Sequence, residues 1–365
     1  MRIALIVIAV VALMGVGFVF VGGASPAIIV APETVFHWGS LNVTNTMFTS
    51  WFVVAFLVLV GFFVGRNLSV VPSGFSGAVE AAVEVFLNLV VGVAGEVNGR
   101  RFFPLVATIF FFILTSNYFG LLPINNIVGL PEPNFGDNQV VMQQRTVAGI
   151  EVALIPLKPE QVDTGGTDLA FVEIDGHREF IEPTDASHGD NGSGSIVSHD
   201  GSHTADGATV TGFSGLLAPY FRSVMTDVNA PAAIAIFSFI FVEFWGLQTL
   251  GVGYLKKFFN FGKLLKGDIL GGLIDVFVGV LEFFSELSRM ISFTFRLFGN
   301  IFAGEVLLLM MTFLVPFVLV DVFYGLELFV GLIQAFVFAM LTLVFAVTAV
   351  TSHSGDEHEG ESTQH

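Results

Sequence analysis

The chain has no cysteine in 365 residues, which excludes a disulfide framework, a thiolate nucleophile and a Cys-ligated metal. Charge is scarce too. Only 12% of residues are Asp, Glu, Lys or Arg, about half the ~25% that hydrates the surface of a soluble domain. The rarer sign is positive, with 14 basic against 31 acidic residues and a net charge of −17. Such a chain repels phosphate backbones and is no nucleic-acid binder. No GxxxxGK[ST] segment occurs, so the P-loop route to nucleotide chemistry is closed. Proline is missing between Pro231 and Pro316. What abounds is apolar, at 54% of residues with a mean hydropathy of +0.81. These proportions specify a polytopic membrane protein.

Measured against the ~20 residues a spanning helix needs, the apolar runs are Ile3–Val21, Met47–Val64, Phe103–Leu122, Ala230–Leu255 and the long stretch Ile269–Val350. The fold expected is all-α, with about five core membrane helices. Residues 1–25 add an N-terminal helix that reads equally as a signal peptide or an anchor. Residues 26–130 form a first membrane region. Within it Ser76–Val97, which carries Glu80, Glu84 and Glu96, is expected to lie in the inner interface as an amphipathic helix. Residues 131–228 are an acidic insert whose Gly-, Ser-, Asp- and His-rich run cannot bury enough apolar area to offset its ordering entropy. Two of its pieces, Gln139–Leu157 and Leu169–Ile181, alternate like strands. Residues 229–350 hold a second membrane region and 351–365 an acidic tail.

The positive-inside rule orients these segments. With Arg2 inside, the alternation of spans puts Arg66, Arg100, Arg101, Lys256, Lys257, Lys263 and Lys266 on the same side. The insert then falls outside. Its histidines His177, His188, His199 and His203 are too irregularly spaced to specify a metal site, and no cofactor is expected.

One helix over Ile269–Val315 would be about 70 Å long, more than twice the ~30 Å hydrocarbon core. It must break, bend or tilt steeply. Pro316 and Gly325 are expected to bracket a turn, with a second helix from about Leu326 to Val350. The C-terminus is thus a long, strongly tilted, membrane-embedded helical hairpin. It carries residues that lipid would not tolerate. Arg296 has no carboxylate within eight residues on either side. Ser285, Arg289, Ser292, Arg296, Asn300 and Ala303 recur at steps of three or four and form one stripe. Glu305, nine residues beyond Arg296, points to the opposite face at ~100° per residue. Glu327 and Gln334, seven apart, share a face. An intramembrane arginine can merely fix helix packing, and a membrane Glu can sit protonated against a neighbour. Against this, small residues beside Arg296 invite close approach of another helix, and several carboxyls on facing helices suit a proton path.

The segment FRLFGNIFAGE, followed by LIQAFVFAMLTLVF, resembles the a subunit of F-type (rotary) ATP synthases. TNTMFTSWFVV, SNYFGLLP and DVNAPAAIAI agree with the same pattern. The resemblance covers roughly Phe36–Val350, leaving out the insert between Pro131 and Gly215. It implies the stator subunit that conducts protons, or Na+, through two offset half-channels against a ring of c subunits and couples this flow to ATP synthesis. Implied partners are the c-subunit ring, the b-subunit stator stalk, the other ATP synthase subunits and the lipid bilayer, in a bacterial-type inner membrane. The subunit itself is not implied to be an enzyme. By resemblance, Arg296 is the family's essential arginine, Asn300 the asparagine one turn later, and Gln334 the glutamine near the arginine. Glu305 and Glu327 take the outer half-channel positions, where relatives can have a Glu/His pair. Asn117 matches an asparagine near the outer funnel. Glu282 and Ser285 match positions lining the inner half-channel, which Ser292 continues along the stripe. A self-contained ion-coupled transporter remains the alternative and would carry internal repeats with paired broken helices. A non-conducting scaffold would tolerate neutral substitution at Arg296.

Overall fold

The computed structural model describes residues 15, 28, 30–39, 41–66, 74–122, 125, 128–132, 138–147, 150–154, 161–163, 170–174, 177–181, 210–251, 254, 269–314 and 318–351. Apart from residue 15, the run Ile3–Val21 lies outside them. So do the lysines at 256, 257, 263 and 266, His188, His199, His203, Pro316 and the tail beyond 351. The described elements in chain order begin with β1 (Thr34–Trp38), β2 (Leu41–Thr44), α1 (Asn45–Arg66) and α2 (Gly74–Gly120). Six strands follow with short spacing: β3 (Val128–Glu132), β4 (Asn138–Val147), β5 (Ile150–Leu154), β6 (Gln161–Asp163), β7 (Ala170–Ile174) and β8 (His177–Ile181). Then come β9 (Val210–Pro219), a 3-10 turn (Val224–Thr226), α3 (Asn229–Leu250), α4 (Ile269–Leu314) and α5 (Val318–Val350).

All five α-helices are long and apolar enough to cross a membrane. Their side chains are correspondingly little buried by the protein itself: on α1, Phe52, Phe56, Leu59 and Phe63 are all exposed. In water this would be an interaction patch; in a bilayer, lipid tails cover it at no cost. The start of α1 follows from its sequence. The Thr44 hydroxyl accepts the Met47 N–H at 3.3 Å, the side-chain cap that satisfies one of the free donors of a first helical turn. The β1–β2 hairpin ahead of it pairs Trp38 with Leu41, so the loop is two residues, and Gly39 takes the φ of 64° that such a turn demands.

Two boundaries differ from the sequence reading. Ser76–Val97 is not a separate helix but is continuous with the next one across a kink. α2 breaks at Gly95, with φ 76° and ψ 168°, and the 74–94 arm folds back along the 96–120 arm. Phe86 stacks on Phe110 with centroids 4.4 Å apart. A Cβ at Gly99 would come within 2.8 Å of the Val91 Cα, so the two arms close tightly near the break. Gly95 supplies a conformation that L side chains rarely adopt. The second difference concerns Gly325, which lies inside α5 and does not bracket the turn. α5 starts at Val318. α4 runs unbroken for 46 residues, so of the three ways to fit a long helix, a break is not used.

α4 and α5 run antiparallel. Arg289 lies over the Phe345 ring at 3.9 Å, Phe293 packs on Phe338 at 5.1 Å, and Gly304 receives the end of Glu327. Numbers rise along one helix as they fall along the other. The strand-like pieces of the insert are strands. They form a seven-stranded antiparallel sheet of order β6-β4-β5-β3-β9-β7-β8. Its first and last strands in chain order, β3 and β9, pair directly, from Gly129 opposite Pro219 to Glu132 opposite Leu216.

The chain divides into two compact units. One gathers Met1–Val53, Ser116–Asp227 and Ile301–Val330; the other gathers Val54–Thr115, Val228–Asn300 and Gly331–His365. In the first, Phe48 sits among Phe36, Phe52 and Phe221, with centroids 5.0 to 5.8 Å away. In the second, Phe102 packs on Trp245 at 4.4 Å, and the buried hydroxyls of Ser238 and Thr342 bond at 2.9 Å.

Candidate functional site

The polar residues of the first unit are concentrated and buried. Asn45, Thr46, Thr49, Ser116, Asn117, Asn125, Arg222, Ser223, Thr226, Asp227 and Glu327 all lie below a tenth exposed. Burying polar groups is costly unless they are bonded, and several of these are. Asn45 donates to the Glu33 carboxylate at 3.1 Å, the Thr46 hydroxyl donates to Asp227 at 3.1 Å, and the Asn125 amide donates to the carbonyls of Phe119 and Gly120 at 2.7 and 2.8 Å.

Arg222 is the centre of this group. Its Nε donates to both carboxylate oxygens of Glu305, at 3.3 and 3.4 Å, and its Nη2 donates to Oε2 at 3.4 Å. Its Nη1 donates to the Ala31 carbonyl at 3.2 Å, while its backbone N–H donates to the Thr49 hydroxyl at 3.2 Å. The side chain of Arg222 is 6% exposed and that of Glu305 21%. The sequence reading does not single out Arg222, although a signal for it was present. It lies eight residues before Ala230, close to a span, and in the sequence reading every other basic residue that flanks a span falls at the opposite ends of the spans.

Glu327 enters the same region from α5. A Cβ at Gly304 would fall on its carboxyl group, so the hydrogen side chain at 304 makes the space this carboxyl occupies. Its Oε1 is buried and has no hydrogen-bond partner among the described residues. Glu327 thus meets α4 one residue away from Glu305. The structure places both carboxyls, together with Asn117, in one compact unit.

The second unit presents a different surface. Along α4 within it, Ser285, Ser292, Arg296 and Asn300 are exposed, while Phe293 and Leu297 are buried; Ala303, in the first unit, is exposed too. The expected stripe is real and faces outward. Arg289 is the exception on it: half-buried, bonded to the Glu286 carboxylate at 2.5 Å and laid over Phe345. Arg296 has no ion pair among the described residues. Its one described contact is the Phe293 ring, 5.8 Å from guanidinium to centroid. Glu282 is half-buried. Gln334 is buried at 9% exposure on α5, on the same helix face as the buried Glu327. The structure therefore seats Glu327 one residue from Glu305 on α4 and shows no ion pair for Arg296 among the described residues.

Residues 47–346 match the profile of the family described as ATP synthase A chain. The chain is 24% identical over 326 residues to the ATP synthase subunit a of Moorella thermoacetica, covering 89% of this chain and 99% of that one. It is 26% identical over 333 residues to the subunit a of Gloeobacter violaceus, covering 91% and 94%. A third relative, the subunit a of Solidesulfovibrio magneticus, is 24% identical over 311 residues, 85% of each chain.

Proposed function

The chain belongs to the ATP synthase A chain family, and on that footing we propose that it is the stator subunit that carries protons across the membrane in two offset steps against a rotating ring of c subunits. The observation that carries this reading is the exposed stripe of α4. A guanidinium is costly to place in hydrocarbon, by between ~2.5 and more than ~10 kcal/mol. Arg296 meets that cost without a carboxylate of its own among the described residues, so a partner must supply one. Serines, Asn300 and Ala303 beside it let another helix approach closely.

In this mechanism Arg296 faces a ring carboxylate. An opposite charge within ~4–6 Å favours the ionised carboxylate, so each passing ring site sheds its proton as it reaches Arg296. The guanidinium cannot relay the proton, because it does not deprotonate, and it therefore separates the two access paths. Asn300 and Gln334 attend the arginine from α4 and α5. Asn117, Glu305 and Glu327 line the outer path. Glu282, Ser285 and Ser292 line the inner one. α4 crosses the bilayer obliquely, since about 70 Å of helix exceeds the ~30 Å apolar layer. The b-subunit stalk holds the chain against the ring. The setting is a bacterial-type inner membrane with the insert outside.

The test is gradient-driven ATP synthesis and passive proton flux in membranes carrying the assembled complex. Arg296→Ala should abolish synthesis and open a leak. Arg296→Lys should assemble yet fail to couple, because the planar fork is lost. Coupled synthesis in Arg296→Ala would overturn the mechanism.

A further inference from the structure

The two carboxyls of the first unit are held very differently, and the difference assigns a role to a residue outside the stripe. Glu305 accepts three hydrogen bonds from Arg222. Glu327 has a buried oxygen with no hydrogen-bond partner among the described residues. One carboxyl is clamped by an arginine; its neighbour is buried with one oxygen unbonded.

The clamp is itself anchored. Arg222 is fixed at its backbone by Thr49 and at Nη1 by the Ala31 carbonyl. The segment after it folds as a 3-10 turn, with the Thr226 hydroxyl donating to the Ser223 carbonyl at 2.7 Å, and Asp227 is held by Thr46. Three stretches distant in sequence, near residues 31, 49 and 222, thus converge before the guanidinium reaches α4. An arginine fork meeting both oxygens of a carboxylate fixes its direction as well as its position. Glu305 lies on a long helix, and a free glutamate there has several rotamers within reach. Arg222 selects one.

We propose that Arg222 is a positioning residue of the outer proton path: it holds the Glu305 carboxylate in a single orientation one residue from the Gly304 seat of Glu327, so that a proton entering the path is passed on to the carboxyl whose buried oxygen has no partner among the described residues. The proposal rests on the reading of Glu305 and Glu327 as the outer path. It explains why an arginine occurs ahead of α3, at the end of a span opposite to those that the other span-flanking basic residues occupy. It also gives the 28–53 segment a part in conduction, through Ala31 and Thr49.

The experiment uses the full chain assembled with its own partner subunits in inverted membrane vesicles, with proton flux normalised to assembled complex. Arg222→Gln should lower flux roughly tenfold or more, since removing one partner of a buried ion pair strands the other. Arg222→Lys, which keeps one charged donor, should recover much of it. In a Glu305→Gln background, Arg222→Gln should change flux less than about twofold, because the two residues act as one unit. The carboxylate stretching band of Glu305, identified by its loss in Glu305→Gln, should shift in Arg222→Lys, and this readout stands even if the Gln variant does not assemble. Equal flux in wild type and Arg222→Gln, additive losses in the double variant, or an unmoved band would overturn the proposal. Flux in Arg296→Ala vesicles equal to that of the wild type would instead overturn the functional reading on which it rests.

Discussion

Arg222 and Arg296 carry the same guanidinium into the same protein and meet opposite surroundings. Arg222 is buried, and its donors go to Glu305 and Ala31. Arg296 is exposed, touches one phenylalanine ring, and has no ion pair among the described residues. A satisfied buried arginine cements a structure; an unsatisfied exposed one in a membrane protein waits for a partner. Arg289 on the α4 stripe sharpens the contrast. It shares the periodicity of Arg296 but is occupied by Glu286 and Phe345. Sequence spacing therefore groups Arg289 with Arg296, whereas chemistry groups it with Arg222.

The largest expected effect tests the contrast at its root. Arg296→Ala should remove ATP synthesis entirely while leaving the melting temperature of the purified complex almost unchanged, since an exposed side chain without a buried partner changes stability by only about 0.5 kcal/mol. A large drop in melting temperature would show that Arg296 is structural after all. Arg222→Leu should do the reverse in kind, destabilising the chain by about 3–5 kcal/mol, read as a loss of thermal stability in detergent. Gly304→Ala should follow at about 1–3 kcal/mol, because an added methyl strikes the Glu327 carboxyl and overpacks a filled site. The Ser238–Thr342 pair lies away from both arginines, and Ser238→Ala should cost about 1 kcal/mol with flux intact. The smallest effect belongs to Arg100→Gln. Its ion pair with Glu96 is about two-thirds exposed on both sides, and the loss should be below about 0.5 kcal/mol. A stability loss there as large as that of Arg222→Leu would erase the distinction between buried and exposed pairs.

The five helices and the α4 stripe were legible because each follows from a local period. Apolar runs set the helices, and steps of three and four set the face bearing Ser292, Arg296 and Asn300. The strands of the insert were legible for the same reason, through alternation. Arg222 was not, because its partner Glu305 lies 83 residues away, and the stretch around it has no period to read. The fold-back of α2 was hidden by Glu80, Glu84 and Glu96, whose polarity suggested an interface, while the deciding residue was a glycine free to adopt φ 76°. Gly325 misled in the other direction. A glycine near a proline looks like a turn, but the antiparallel packing of α5 on α4 carries the helix straight through it.

The pairing of β3 with β9 has an evolutionary consequence. Where a long insertion enters and leaves a protein at separate points, it must pry its host apart or be paid for by rearrangement. Here the strand that leads into the insert and the strand that leads out lie side by side, with Glu132 opposite Leu216. The intervening 83 positions are therefore a closed excursion: the host sees two ends one strand-spacing apart, about 5 Å, whatever lies between. Such a module can lengthen, shorten, change its surface charge or be exchanged for another hairpin without altering the membrane helices on either side. The ladder makes this region a port at which the extramembrane surface is free to diversify while the conducting core stays fixed.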